Sequence, residues 1–116
     1  MNAHHKFNYI EFQVSDHDAS KKFFSSVFGW TYQDYGADYT AFFGAGLDGG
    51  FYTGEKVSRV ESGSALVIFY SEDLEATQQS VLDAGGSLIK EIFSFPGGRR
   101  FHFADPSGNE FAVWSE

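Results

Sequence analysis

Apolar residues recur along this chain in two rhythms, every second position in short runs and at helical spacing in two longer ones. The run Ile10-Glu11-Phe12-Gln13-Val14 alternates, which predicts a strand with Ile10, Phe12 and Val14 on one face. Tyr9, Glu11 and Gln13 then share the other face. Ala19, Phe23 and Val27, with Phe24 and Phe28 alongside, fall at helical spacing. Ser15, Asp16 and Asp18 place a cap and negative charge at the positive end of that helix. Gly29 supplies its left-handed stop.

The same order of signals returns about half a chain later. With Asp16 set on Asp73, Phe12 matches Phe69, Ala19 matches Ala76 and Gly29 matches Gly86. Ser71-Glu72-Asp73 opens a second helix, Leu74, Val81 and Leu82 are expected to face inward, and Gly85-Gly86 closes it. After each helix three short strands are predicted, over 31–35, 39–43 and 50–53, then over 87–93, 100–104 and 110–115. Turn chemistry separates them: Tyr35-Gly36-Ala37-Asp38, Pro96-Gly97-Gly98 and Asp105-Pro106-Ser107-Gly108. The reading is an α+β fold of two βαβββ modules made by duplication, about 7–54 and about 64–116, in a single domain over 1–116. A polar link, Glu55 to Gly63, joins them. Helices on one sheet face leave the other face as a cavity or an interface.

Composition narrows the partners. With a net charge of −8 and no basic cluster beyond Arg99-Arg100, neither nucleic acid nor an anionic membrane is an expected partner. The lack of cysteine removes disulfides and thiolate chemistry. No apolar run reaches the ~20 residues of a membrane span, so a cytoplasmic protein is expected. The 14 phenylalanines call for a tightly filled core, an apolar cavity, or both. His4 and His5 sit in a polar tail and are not read as ligands.

The second face of the sheet collects the candidate chemistry. On the strand over 100–104, Phe101 and Phe103 oppose Arg100 and His102. On the last strand, Phe111 and Val113 oppose Glu110, Ala112 and Trp114. Leu66, Ile68 and Tyr70 would share that face, giving the apolar wall with a few polar groups typical of a small-molecule pocket. The alternative is a solvated face. Glu11 and His102 are the candidate acid–base pair, because a carboxylate can orient an imidazole for proton transfer. Tyr9, Gln13, Leu66, Ile68, Tyr70, Arg100 and Trp114 are the candidate ligand-binding residues, with Arg100 suited to a carboxylate or phosphate. Structural roles compete: His102 could satisfy a buried partner, and Glu11 could pair with Arg100. Glu110 reads as a rim residue, Arg99 as exposed and Trp30 as core. The string Gly44-Ala45-Gly46-Leu47-Asp48-Gly49 fits G-x-G-x-x-G by letter, but strand and turn residues follow it, not a helix, so no dinucleotide site is read there.

The stretches VSDHDASKKFFSSVFGW and HFADPSGNEFAVW, within paired βαβββ modules, resemble the vicinal oxygen chelate superfamily. That group includes glyoxalase I, bleomycin- and fosfomycin-resistance proteins and extradiol dioxygenases. The resemblance implies a cupped mixed sheet with helices on its outer face, a cavity inside, and a homodimer. It also implies a divalent metal held by His and Glu. The positions that carry those ligands in metal-binding members fall here on Tyr9, Leu66 and Ala112, and on the region around Gly50, none of which offers one. No metal or other cofactor is therefore expected. Three functions stay open. One is a metal-independent lyase or isomerase related to lactoylglutathione lyase and using the Glu–His pair. Another is a ligand-sequestering protein of the drug-resistance type. The third is a divalent-metal isomerase of glyoxalase type.

Overall fold

In a computed structural model that describes residues 2–116, the two halves adopt the same topology. The first contains β1 (Ile10–Val14), α1 (His17–Phe28), β2 (Thr31–Asp34), β3 (Tyr39–Phe43) and β4 (Gly49–Thr53). The second contains β5 (Val67–Tyr70), α2 (Leu74–Asp83), β6 (Ser87–Phe95), β7 (Gly98–Ala104) and β8 (Glu110–Ser115). Each half makes a four-stranded mixed sheet, ordered β1-β4-β3-β2 and β5-β8-β7-β6. In both, the first strand runs parallel to the last and the other pairs are antiparallel. The fold is α+β and built of two similar modules, as the repeated pattern predicts.

The helix starts use the same device twice. The Asp16 carboxylate accepts from the Ala19 N–H at 3.1 Å, and Asp73 accepts from Ala76 at 3.1 Å. Each satisfies a backbone donor that the first turn of a helix leaves free. Gly29 ends α1 in the left-handed region at φ 75°. The 44–48 segment is a bent loop into β4, as its glycines suggest. The element bounds differ modestly from expectation. β1 begins at Ile10 and β5 at Val67, so Tyr9 and Leu66 lie just ahead of their strands. β6 and β7 run further than predicted, to Phe95 and from Gly98, because the hairpin closes tightly on Pro96 and Gly97. Leu82 does not face inward. It is 40% exposed, because α2 turns Leu74 and Val81 to the core.

One aromatic core serves both modules. Phe12, Phe24, Trp30, Phe42 and Phe51 pack beneath the first sheet, and Phe101, Phe103, Phe111 and Val113 beneath the second. The two groups meet at Phe111, whose ring lies 5.3 Å from Phe12, 5.5 Å from Phe24 and 5.5 Å from Phe103. α1 reaches across as well: Phe28 stacks on Phe69 of β5 at 4.1 Å, and Phe23 contacts Phe103 at 5.8 Å. Edge-to-face and offset rings add specific attraction to the burial of their area.

Because Phe111 joins the halves, Phe111→Ala should cost about 3–5 kcal/mol. Urea unfolding should show the midpoint falling while the transition remains single. A loss under about 1 kcal/mol would mean that the modules do not depend on this junction.

Candidate ligand site

The sheet faces turned away from the helices carry the polar candidates, and the hydrogen bonds sort them into two groups. On the first sheet Tyr39 donates to the Glu11 carboxylate at 2.8 Å, and the Tyr9 and Tyr39 hydroxyls lie 2.7 Å apart. The Tyr39 proton is committed to Glu11, so Tyr9 donates to Tyr39 and the chain runs Tyr9 to Tyr39 to Glu11. Burial first, and then the Tyr9 and Glu11 contacts, hold the Tyr39 hydroxyl protonated well above the ordinary phenol range. Gly50, paired with Glu11 across β1 and β4, makes the room: a Cβ there would collide with the Tyr39 hydroxyl. Gln13 is a structural anchor in this arrangement, its side-chain oxygen accepting from the Lys56 N–H at 3.1 Å.

On the second sheet His102 Nδ1 lies 2.7 Å from Glu110 Oε2. The pair is closed off, with His102 1% and Glu110 6% exposed. The other Glu110 oxygen accepts from the Val60 N–H at 3.0 Å, so the linker between modules is fastened over the pair. For Glu110, burial pushes the carboxyl up, but the Val60 N–H and the His102 ring outweigh it and hold the group below the usual carboxylate range. Glu110 is therefore ionised at neutral pH and Nδ1 carries the shared proton. His102 Nε2 is buried and has no hydrogen-bond partner.

Three expectations are corrected here. Glu110 is not a rim residue, because the linker covers it. Glu11 does not pair with Arg100; its partner is Tyr39. Nor does Glu11 pair with His102, since each has a different partner on its own sheet. A Glu–His pair does exist, but it is Glu110 that supplies the carboxylate. Both sit on the same face of adjacent strands, with His102 opposite Ala112 and Ala104 opposite Glu110, a diagonal relation. Tyr39 was missed, and Gly50, which lies opposite Glu11 and leaves room for the Tyr39 hydroxyl, was the signal that could have found it.

The turn before β8 explains the linker's position. Asp105 accepts from the Ser107 and Asn109 N–H groups at 3.0 and 2.8 Å. Asn109 in turn donates to the Gln13 carbonyl at 2.7 Å and accepts from the Ser58 N–H at 2.9 Å. Arg59 donates to the Gly108 carbonyl at 2.7 Å. One turn thus binds the first module, the linker and the second module together.

Beside this sealed region the second sheet keeps an open cavity of about 420 Å³, lined by Ile68, Phe95, Pro96, Gly97, Arg100 and Trp114. It gathers three of the predicted ligand-binding residues, Ile68, Arg100 and Trp114. Tyr70 packs edge-on to Trp114 at 5.1 Å and donates to Glu116 at 2.9 Å. Glu11 and Gln13 border a separate groove of about 290 Å³ with Tyr52 and Lys56. A larger cavity of about 510 Å³ lies near the start of α1, away from these faces. Its polar groups are paired with one another: His17 with Thr40 and Thr53 at 2.8 and 2.9 Å, and Lys21 with Asp34 at 3.0 Å.

The residues at the positions implied for metal ligands do not fit a divalent metal. Among the described residues no group of three or more His, Asp or Glu side chains is placed to hold one. Tyr9 is engaged with Tyr39, and Leu66 and Ala112 have no donor atom to offer. No helix is long and apolar enough to cross a membrane.

Residues 6–113 match the Glyoxalase/Bleomycin resistance protein/Dioxygenase superfamily, and the chain belongs to it. Among curated relatives, "Putative glyoxylase CFP32" of Mycobacterium bovis is 27% identical over 123 residues, covering 92% of this chain and 44% of the relative. The chain thus spans less than half the length of that relative. A solved glyoxalase-related enzyme from Fulvimarina pelagi superposes with a TM-score of 0.77 at 18% identity, over 97% of this chain and 88% of that one. A glyoxalase/bleomycin resistance protein/dioxygenase family enzyme from Burkholderia phytofirmans superposes with a TM-score of 0.78 at 16% identity, over 94% and 97% of the two chains. At those identities the likeness is one of fold.

Glu110 has a folded pKa below its unfolded one, so the unfolded state binds more protons between the two values and stability rises with pH there. That contribution is complete above the ordinary carboxylate pKa and disappears as pH falls through the lowered folded value. Glu110→Gln should therefore flatten the acid side of a plot of stability against pH relative to the parent protein. Parallel acid limbs would show that Glu110 is not held ionised by its neighbours.

Proposed function

We propose that this chain binds a small organic molecule on the open face of its second sheet without a divalent metal. The observation that supports this reading is the cavity of about 420 Å³ with Ile68, Phe95 and Trp114 as apolar walls. Concave sites of that size with few polar groups are the usual form of small-molecule pockets. Sequestration needs only such a cavity and accounts for the sealed state of the nearest acid–base pair. The exposed apolar side chains beside it, Ile68 at 45% and Tyr70 at 51%, suit coverage by a second copy of the chain in a cytoplasmic homodimer.

A second reading, a metal-independent lyase or isomerase, is favoured by one observation, the His102–Glu110 contact with His102 Nε2 unpartnered. In that reading Glu110 holds Nδ1–H and fixes the ring, and Nε2 takes up or returns a proton on a bound substrate. The linker must then lift to admit the substrate, because His102 is closed off at rest. Glu11 and Tyr39 belong to the other sheet and take no part in it.

Three measurements test these readings. After purification without chelators and incubation with excess nickel, zinc, manganese and iron, elemental mass spectrometry should find far less than one metal per chain. Near-stoichiometric retention would overturn the metal-free reading. A fragment screen by amide NMR should place its perturbations at Ile68, Arg100 and Trp114; perturbations confined to other surfaces would remove the proposed site. For any turnover found, His102→Ala should lower the rate by about 10²–10⁴-fold, the usual range for a general acid or base, while Glu11→Gln leaves it near the parent value.

A further inference from the structure

Among the described residues no carboxylate pairs with Arg100. It lies on β7 between Phe93 of β6 and Trp114 of β8, directly opposite both in the ladder. Its guanidinium carbon sits 5.4 Å from the Phe93 ring centre and 5.5 Å from that of Phe95. Its Nε is shut off from solvent with no acceptor. An arginine stays charged at any physiological pH, and a charge brought among apolar groups needs a partner.

The chain has ample means to supply one. It carries 16 acidic residues against 8 basic ones, yet among the described residues the ion pairs fall to Lys21, Arg99 and His102. The contrast with the preceding residue is direct. Arg99, on the other face of β7, takes both oxygens of Glu75 at 2.6 and 3.1 Å. Arg100, which lines the cavity, takes none.

The rest of the cavity specifies what should arrive with the negative charge. Trp114 and Phe95 offer ring surfaces, and Ile68 and the Pro96-Gly97 turn line the rest. A flat apolar body fits against such walls, and a planar carboxylate matches the guanidinium fork with two parallel hydrogen bonds. Building on the reading that the second-sheet face holds a ligand, we propose that the cavity is a site for a small aromatic carboxylate. Arg100 grips the carboxylate, and Trp114, Phe95 and Ile68 hold the ring. This assigns a ligand class to the site and a specificity role to Arg100.

The test compares isosteric acid and amide by titration calorimetry, with amide NMR to locate binding. The probes are 2-naphthoate and 2-naphthamide, on the parent protein and on Arg100→Met. The parent should bind the acid at least about 10-fold tighter than the amide, the effect of one charge-assisted contact. Trp114 and Gly97 resonances should shift, and Arg100→Met should erase the preference for the acid. Equal binding of acid and amide at this cavity would overturn the carboxylate assignment while leaving the binding reading intact. Failure of both probes to perturb the cavity would overturn the two together. The acid–amide comparison on the parent protein decides the matter even if Arg100→Met fails to fold.

Discussion

Everything in this molecule is arranged around one aromatic junction between its halves. Each module of about fifty residues is too small to bury enough surface alone. α1 therefore does not serve its own sheet only. Phe23, Phe24 and Phe28 reach Phe103, Phe111 and Phe69 of the second module. That shared core places both helices on one side. The candidate chemistry lies on the opposite faces of the two sheets, where the linker covers Glu110 while Ile68 and Tyr70 stay exposed.

The second constraint is a buried polar tie. Asp105 is pushed up by burial, and the N–H groups of Asn109, Ser107 and Gly108 work against that push. Asn109 extends the network to Gln13 and Ser58. A satisfied network of this kind fixes geometry, because breaking any member strands another in low dielectric. Here it holds the linker where Val60 meets Glu110, so the closure of the His102 pocket follows from the turn before β8.

Two polar atoms on β7 stand outside that economy of contacts. His102 Nε2 and Arg100 Nε are both buried and both lack partners, two residues apart on one face. Buried polar groups are almost always satisfied, and Ser20 Oγ and Gln78 Oε1 are the other such exceptions among the described residues. On the first sheet the Glu11 carboxylate accepts from Tyr39.

Helices, strands and turns were legible in the sequence because each is signalled within a few residues. Asp16 and Asp73 cap their helices, Gly29 ends one, and Pro96-Gly97 closes a hairpin. Alternation along β1, β7 and β8 also assigned Phe12, Phe101, Phe103, Phe111 and Val113 to the core, while His102, Glu110 and Ala112 on the other face are buried too. Alternation gives a side, however, and not a neighbour. Which carboxylate meets His102, whether Glu110 is wet, and what Glu11 touches depend on strand register and on where the linker crosses. Those are set by contacts between residues far apart in the chain, such as Val60 with Glu110 and Tyr39 with Glu11, and only the folded chain brings them together.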